Sequence, residues 1–355
     1  MQQSFPSRCV FLPVLLWMCG ALGFAQQTPA PAQPSGQSSQ AARPATSDFS
    51  RARTFMQQGK VEEAIAELHA LEASSPDLKG LDLELGTAYY KKSDYPKAIE
   101  YLKKATTTDP GNGEATQLLG LSYYLNGYPA QAIPLLEKVQ TWYPRANVDA
   151  SYILGICYIQ TKDYPNARKA FAKMFDVPHD SAASYLFTAR MLFRQEFDPI
   201  AEEYGKKAVA LDPKLPLAHF LLGELYLYKS RVPEAIAELQ QELAINPGNA
   251  ATYYKLADAY SRVQKFEDAE KLLQRSIWLD ATSTGPYILM GKVLERKGEF
   301  QLAIRALQKA ATMDPNNAMT HHLLGQAYRD IGKKEEAETE LKLAERLQTQ
   351  QDSRP

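Results

Sequence analysis

A chain of 355 residues can hold two compact domains. Its 40 Lys and Arg against 41 Asp and Glu leave a net charge of -1, so no global field draws it to nucleic acid or to an anionic membrane, and no basic run interleaved with aromatics contradicts this. Of the three cysteines, Cys9 and Cys19 lie in a segment expected to be removed, which leaves Cys157 without a partner for an intramolecular disulfide.

Residues 1–25 begin with Arg8 as their only charge, continue with an apolar run from Cys9 to Phe24, and end in the small residues Gly23 and Ala25. That is the pattern of a secretory signal peptide cleaved after Ala25. The run is short for a membrane span of about 20 residues, and Pro13 interrupts it. Export, with a periplasmic destination and no membrane span after processing, is the expectation. The alternatives are a lipid anchor on Cys19, weakened by Met18 where a small residue is wanted, and an uncleaved N-terminal segment. Residues 26–47 contain no aromatic and no aliphatic larger than Ala, and Pro29, Pro31, Pro34 and Pro44 break any helix, so they read as a disordered linker.

From residue 48 to 347 one skeleton returns nine times. A small residue before a tyrosine position recurs as Ala52, Gly86, Gly120, Gly155, Ala189, Gly223, Ala257, Gly291 and Gly325, at intervals of 34 residues except for one of 35. An alanine keeps step with it as Ala64, Ala98, Ala132, Ala167, Ala201, Ala235, Ala269, Ala303 and Ala337. Each unit reads as two helices, one with Leu85, Gly86 and Tyr89 on a face and one with Ala98, Leu102 and Ala105 facing it. A Gly or Ala at the crossing lets the two backbones approach. Ser93, Gly127 and Lys162 fall in the turns between paired helices, and Pro110 and Pro144 stop second helices. The one extra residue falls in the loop at residues 145–149.

The units span about 45–78, 79–112, 113–147, 148–181, 182–215, 216–249, 250–283, 284–317 and 318–347. The first is polar at Ser50, Arg51 and Arg53, as a terminal cap would be. The fifth has Leu192 at the tyrosine position and Gly205 inside its second helix, a weak point or a bend at a cost of about 1 kcal/mol. Leu341, Leu343 and Leu347 on the last helix have no following unit to cover them, so self-association through that helix is an expectation. A polar tail, 348–355, follows.

The pattern L-G-x-x-Y, then A-x-x-x-[LF]-x-x-A, then Pro, at a period of 34, resembles the tetratricopeptide repeat family. The resemblance implies an all-α right-handed superhelix of nine helix pairs, with the first helices lining a concave groove. It further implies that ligands meet the positions just after the first core residue, just after the Gly and just after the Tyr. On this chain those include Leu83, Tyr90, Leu121, Tyr124, Tyr152, Ile156, Phe187, Arg190, Phe193, Phe220, Leu227 and Tyr228. Farther along they turn polar, with Tyr254, Arg262, Lys292, Arg296 and Arg329. The apolar half has a second reading, in which Leu121, Ile156 and Phe187 pack between neighbouring first helices and meet no ligand. No Asn stands just after the repeat Gly, so the family's grip on chaperone tails is disfavoured. Tyr89, Tyr123, Tyr158, Tyr226, Tyr260 and Tyr328 share one phase and are packing residues.

Enzyme motifs are absent: there is no G-x-S-x-G, P-loop, G-x-G-x-x-G, H-E-x-x-H or C-x-x-C. His321 and His322 point about 100° apart on a helix and cannot share a metal. His69, His179 and His219 have no Asp, Glu or Cys at ligand spacing, and these histidines read as surface or groove-lining. No cofactor and no metal is expected, and Cys157 reads as a buried small side chain. The function that follows is an exported, non-enzymatic scaffold binding peptide segments or partner proteins in the groove. The alternative is a binding subunit of an envelope-assembly or polysaccharide synthesis or export machine.

Overall fold

The structure, a computed structural model, describes residues 49–142 and 148–352. The expected signal peptide, the linker and the inserted loop at 145–149 lie wholly or largely outside the described residues. Among the described residues there are eighteen helices and no strand, and no helix is long and apolar enough to cross a membrane. In chain order they are α1 (Ser50–Gln57), α2 (Val61–Ser74), α3 (Leu81–Lys91), α4 (Tyr95–Thr108), α5 (Gly113–Leu125), α6 (Pro129–Trp142), α7 (Val148–Gln160), α8 (Tyr164–Met174) and α9 (Ala182–Arg194). There follow α10 (Asp198–Leu211), α11 (Ala218–Tyr228), α12 (Val232–Ile245), α13 (Ala250–Arg262), α14 (Phe266–Leu279), α15 (Thr284–Arg296), α16 (Phe300–Met313), α17 (Ala318–Asp330) and α18 (Lys334–Asp352). Odd and even helices pair as hairpins that stack into a solenoid, the arrangement expected of units that each bury their faces only against neighbours.

Local chemistry sets the ends of these helices. Asn112, Asn249 and Asn317 precede first helices, and their side chains accept from the backbone N–H groups of Ala115 (2.9 Å), Thr252 (3.2 Å) and Thr320 (3.0 Å). Asp94 and Asp163 do the same for the second helices α4 and α8, each followed by Pro at the first turn. Every hairpin turn holds one residue at positive φ: Gly59, Ser93, Gly127, Lys162, Glu196, Ser230, Gln264, Gly298 and Gly332. The turn geometry is thus the same whether or not glycine fills it.

The crossing of each pair explains the repeated Gly. A Cβ on Gly86 would lie 2.6 Å from Leu102 Cγ, one on Gly155 2.5 Å from Phe171 Cε1, and one on Gly291 2.5 Å from Leu307 Cγ. The fifth unit inverts this arrangement. Ala189 stands at the crossing and Gly205 opposite, and α10 runs unbroken through Gly205 because Leu222 of the next unit fills the space, 2.8 Å from where a Cβ would be. Gly205 therefore makes room for a neighbour's leucine and produces no break in the helix.

Consecutive units are joined through the tyrosine phase. The Tyr89 hydroxyl lies 2.8 Å from His69 Nε2, Tyr158 donates to Glu137, and Gln240 and Gln308 donate to the hydroxyls of Tyr260 (3.0 Å) and Tyr328 (2.8 Å). In every case the partner sits on the second helix of the preceding unit. A second set of joints is ionic. Glu202 accepts from Lys229 (2.8 Å), Arg231 (3.0 Å) and Lys206 (2.8 Å), and two units later Glu270 accepts from Lys297 (2.5 Å). Burial of Glu202 would raise its carboxyl, but the three cations more than offset this and hold it down at about 2.

At the ends, α1 is short and buries Ala52 and Met56, with Phe49 buried just before it, while Arg53 reaches Glu84 of the second unit. Leu347 is buried and Leu341 and Leu343 are half-buried, so the apolar end is smaller than its leucines suggest. α18 continues to Asp352, through residues expected to belong to the tail.

Candidate functional site

First helices of successive units touch along most of the array, α3 to α5, α5 to α7, α9 to α11, α11 to α13, α13 to α15 and α15 to α17, while second helices make no comparable contacts. The first-helix face is the tighter side, and it is where the expected ligand-facing residues lie. The structure divides them into three groups.

Three of them are core. Ile156 is 1% exposed, Leu227 4% and Phe220 7%, so they hold neighbouring helices together and present nothing to a ligand. Phe187 is half-buried with its ring 4.1 Å from that of Phe175, at the end of the preceding second helix, and so also serves the joint. Here the packing reading replaces the ligand reading. An apolar side chain within reach of the next unit gains about 25 cal/mol for each Å² it removes from water.

A second group is half-buried along the face: Leu83, Tyr90, Leu121, Tyr124, Tyr152, Arg190 and Phe193, with Tyr228 beyond them at 63% exposed. Phe193 and Tyr228 pack edge to face at 5.7 Å. Tyr90 meets Tyr95 at 6.2 Å, and burial followed by that neighbour raises its hydroxyl. Tyr95 belongs to a group that sequence reasoning missed. Tyr95, Tyr164, Phe266 and Phe300 each stand three residues before the second-helix alanine, and Phe197, which pairs with Tyr164 at 6.2 Å, stands four before it. The repeat phase was the signal that could have found them.

The third group is charged. A cleft of ≈ 930 Å³ between α13, α15 and α17 is lined by Arg262, Lys292, Arg296, Glu295 and Asp330 over Phe266 and Phe300. Arg262 is committed within the fold, to Asp258 (2.9 Å) and the Leu227 carbonyl (3.0 Å). Lys292 and Arg296 are exposed and hold no ion pair among the described residues, and Arg329 is exposed outside the cleft lining. Glu295 is raised above the usual carboxylate range, first by burial and then by Asp330, against the pull of Arg296 and Lys292. Tyr254 is half-buried against Gly285, where a Cβ would come within 3.2 Å of its ring.

Family profiles described as tetratricopeptide repeat match residues 49–113, 189–250 and 288–352, more than half of the chain, and a further one matches 227–277. The chain belongs to the tetratricopeptide repeat family. A profile of anaphase-promoting complex, cyclosome, subunit 3 matches residues 91–174 of this tetratricopeptide repeat chain. Over 103 residues it is 29% identical to the Homo sapiens intraflagellar transport protein 88 homolog; the match takes in 28% of this chain and spans 12% of that protein's length. Among solved structures, MamA is 24% identical with a TM-score of 0.43, over 47% of this chain and 97% of MamA. YrrB, described as a TPR protein with an unusual peptide-binding site, is 23% identical with a TM-score of 0.44, over 51% of this chain and 94% of its own.

The remaining candidates for chemistry resolve as structure. Cys157 is fully buried and its thiol is pushed up to about 12 by that burial, so it offers no thiolate. His219 and His321, expected at the surface or in the groove, are buried. Each has Nδ1 2.6 Å from a carboxylate, Glu238 or Glu340, and Nε2 facing the carbonyl of Pro213 (3.3 Å) or Pro315 (3.0 Å). The carboxylate lies 19 residues away on the paired helix, a distance no local spacing rule reveals. Among the described residues no group of three or more His, Cys, Asp or Glu could hold a metal ion.

Proposed function

We propose that this chain is an exported, non-enzymatic scaffold whose first-helix face holds a segment of a partner protein. The observation that carries the reading is the passage from the Phe193–Tyr228 pair, with Tyr228 63% exposed, into the cleft bearing the exposed Lys292 and Arg296. An exposed aromatic anchored on its neighbour is the residue type that most often dominates binding energy. A helix or an extended peptide laid along the face would meet the aromatics first and the charges farther along.

Export rests on Arg8, the run from Cys9 to Phe24 and Ala25. Mass spectrometry of the protein from its native cell is expected to find a mature N-terminus after Ala25. A lipidated Cys19 would replace secretion with anchoring, and an intact Met1 in the cytoplasm would end the export reading.

The scaffold reading is tested with a photo-crosslinking residue placed at position 228 or 292, on the first-helix face, or at 104, on the outer side of α4. A protein partner captured from 228 and 292 but not from 104 is the expected result. Capture only from 104 would move the binding site off this face.

A further inference from the structure

The second helices carry a charge pattern that the net charge of -1 conceals. Two positions on their outward side, two and six residues after the repeat alanine, lie i and i+4 on the helix. In α4 they hold Glu100 and Lys104, bridged at 3.2 Å, and in α10 Glu203 and Lys207, again of opposite sign. α8 carries Lys169 with Lys173 there, but its neighbours α6 and α10 hold no like pair; in α14 and α16, adjacent second helices, the same positions hold Lys271 with Arg275 and Arg305 with Lys309. Like charges at i and i+4 destabilise a helix; the exposed Glu267, four residues before Lys271, offsets this in α14, whereas α16 has Gln301 at that place, so folding alone does not favour the pair Arg305 with Lys309. All four cations are exposed, and none has an ion pair among the described residues.

Two large apolar side chains stand beside them. Trp278 is 71% exposed with the Arg275 guanidinium 4.2 Å from its ring centre, and Leu302 is 45% exposed. Helix geometry places Lys271, Arg275 and Trp278 within an arc of about 60°, and Leu302, Arg305 and Lys309 within an arc of the same width. Trp142, by contrast, is half-buried under Lys138.

We propose that the outer face of α14 and α16 docks on an anionic lipid bilayer. Four exposed cations suit a headgroup layer of negative charge, and a protruding indole and leucine suit the boundary between headgroups and acyl chains. Single-stranded nucleic acid is the weaker match. It needs a series of aromatic faces along a charged groove, and here a single indole stands on the face, with Arg275 over one side of its ring. The surface is distinct from the first-helix face, so a docked protein leaves that face open to its partner.

The test uses the full chain and co-sedimentation with phosphatidylcholine vesicles, with and without phosphatidylglycerol. Where the apolar run from Cys9 to Phe24 is retained it would add the same attraction to either vesicle, so the readout is the ratio of the two affinities. Each cation near an anionic surface strengthens binding about fivefold. Lys271→Gln with Arg275→Gln, or Arg305→Gln with Lys309→Gln, is expected to cut the ratio by at least tenfold. The same-phase controls Lys104→Gln and Lys207→Gln should leave it unchanged. Trp278→Ala should weaken binding to phosphatidylglycerol vesicles while every charge stays in place, and added salt should shrink the ratio for the native chain. A ratio near one for the native chain, a ratio indifferent to the four substitutions in a normally folded variant, or binding to a nucleic-acid oligomer that outcompetes the vesicles would each overturn the proposal.

Discussion

The first-helix face has two halves that occupy the same repeat positions and meet different fates. In units two to six, Ile156, Phe220, Leu227 and Phe187 sink into the joints, whereas in units seven to nine Lys292, Arg296 and Arg329 stay in water. The backbone offers each residue the same place beside the next unit. An apolar chain takes that place because burial is favourable, and a charged one cannot, because desolvating it costs more than the contact returns. Position in the repeat therefore predicts where a side chain starts, and its chemistry decides whether it remains available. Only residues too large or too peripheral to be swallowed, such as Tyr228, are both apolar and accessible.

The largest expected effect follows from that division. Ile156→Ala or Leu227→Ala should cost about 2 to 5 kcal/mol as cavity mutants. Chemical denaturation measures the loss, and hydrogen exchange should rise mainly in the altered unit and its neighbours, since the array is nearly one-dimensional. A change under about 0.5 kcal/mol would mean that these side chains are free after all, and the two halves would then differ only in polarity.

Next in size is the ionic joint at Glu202, which ties the fifth unit to the sixth from outside the apolar core. Its carboxyl is lowered from 4.5 to about 2, so its contribution is complete above about pH 4.5 and is lost as the pH falls towards 2. Glu202→Gln should therefore cost on the order of 1 to 2 kcal/mol at pH 7 and almost nothing near pH 2, read as the difference between the two proteins' melting curves. A penalty that persists at pH 2 would show that the side chain's packing, and not its charge, makes the joint.

A third comparison separates stability from recognition within the apolar half. Tyr228→Ala with Phe193→Ala should weaken the partner at least about tenfold at any salt, with little change in melting compared with Ile156→Ala. The opposite result, a lower melting temperature with affinity of the folded protein unchanged, would assign this pair to the joint as well.

Much of the frame was legible in advance, because a 34-residue period with a small residue at each crossing admits few packings. Gly86 and Gly291 are glycine since Leu102 and Leu307 leave no room for a Cβ, and that constraint shows in the sequence as a repeat. The site was legible only in outline. The expected ligand-facing set takes in both Leu227 and Tyr228, one residue apart on α11, although one is 4% and the other 63% exposed. The Glu238 and Glu340 partners of the buried histidines were hidden because they lie across a hairpin. The cations of α14 and α16 were hidden because each is separated from its counterpart by a whole repeat, so they form no run and cancel in the net charge.

The smallest effect belongs to the charged half, and its size follows from exposure. Lys292 and Arg296 stand in high dielectric with no ion pair among the described residues, so Lys292→Ala with Arg296→Ala should leave the melting temperature nearly unchanged. Partner association should slow several-fold at low ionic strength and barely at high, because such charges act mainly on the encounter rate. A readout independent of any partner is available in Glu295. Burial and Asp330 raise its carboxyl while Arg296 and Lys292 pull it down. Removing the two cations should raise it further, and an NMR titration of that carboxyl would follow the change. If the titration does not move, the cations are screened from the cleft. They would then be too screened to orient a bound segment there, and the charged half would be a solvated rim beside an apolar site.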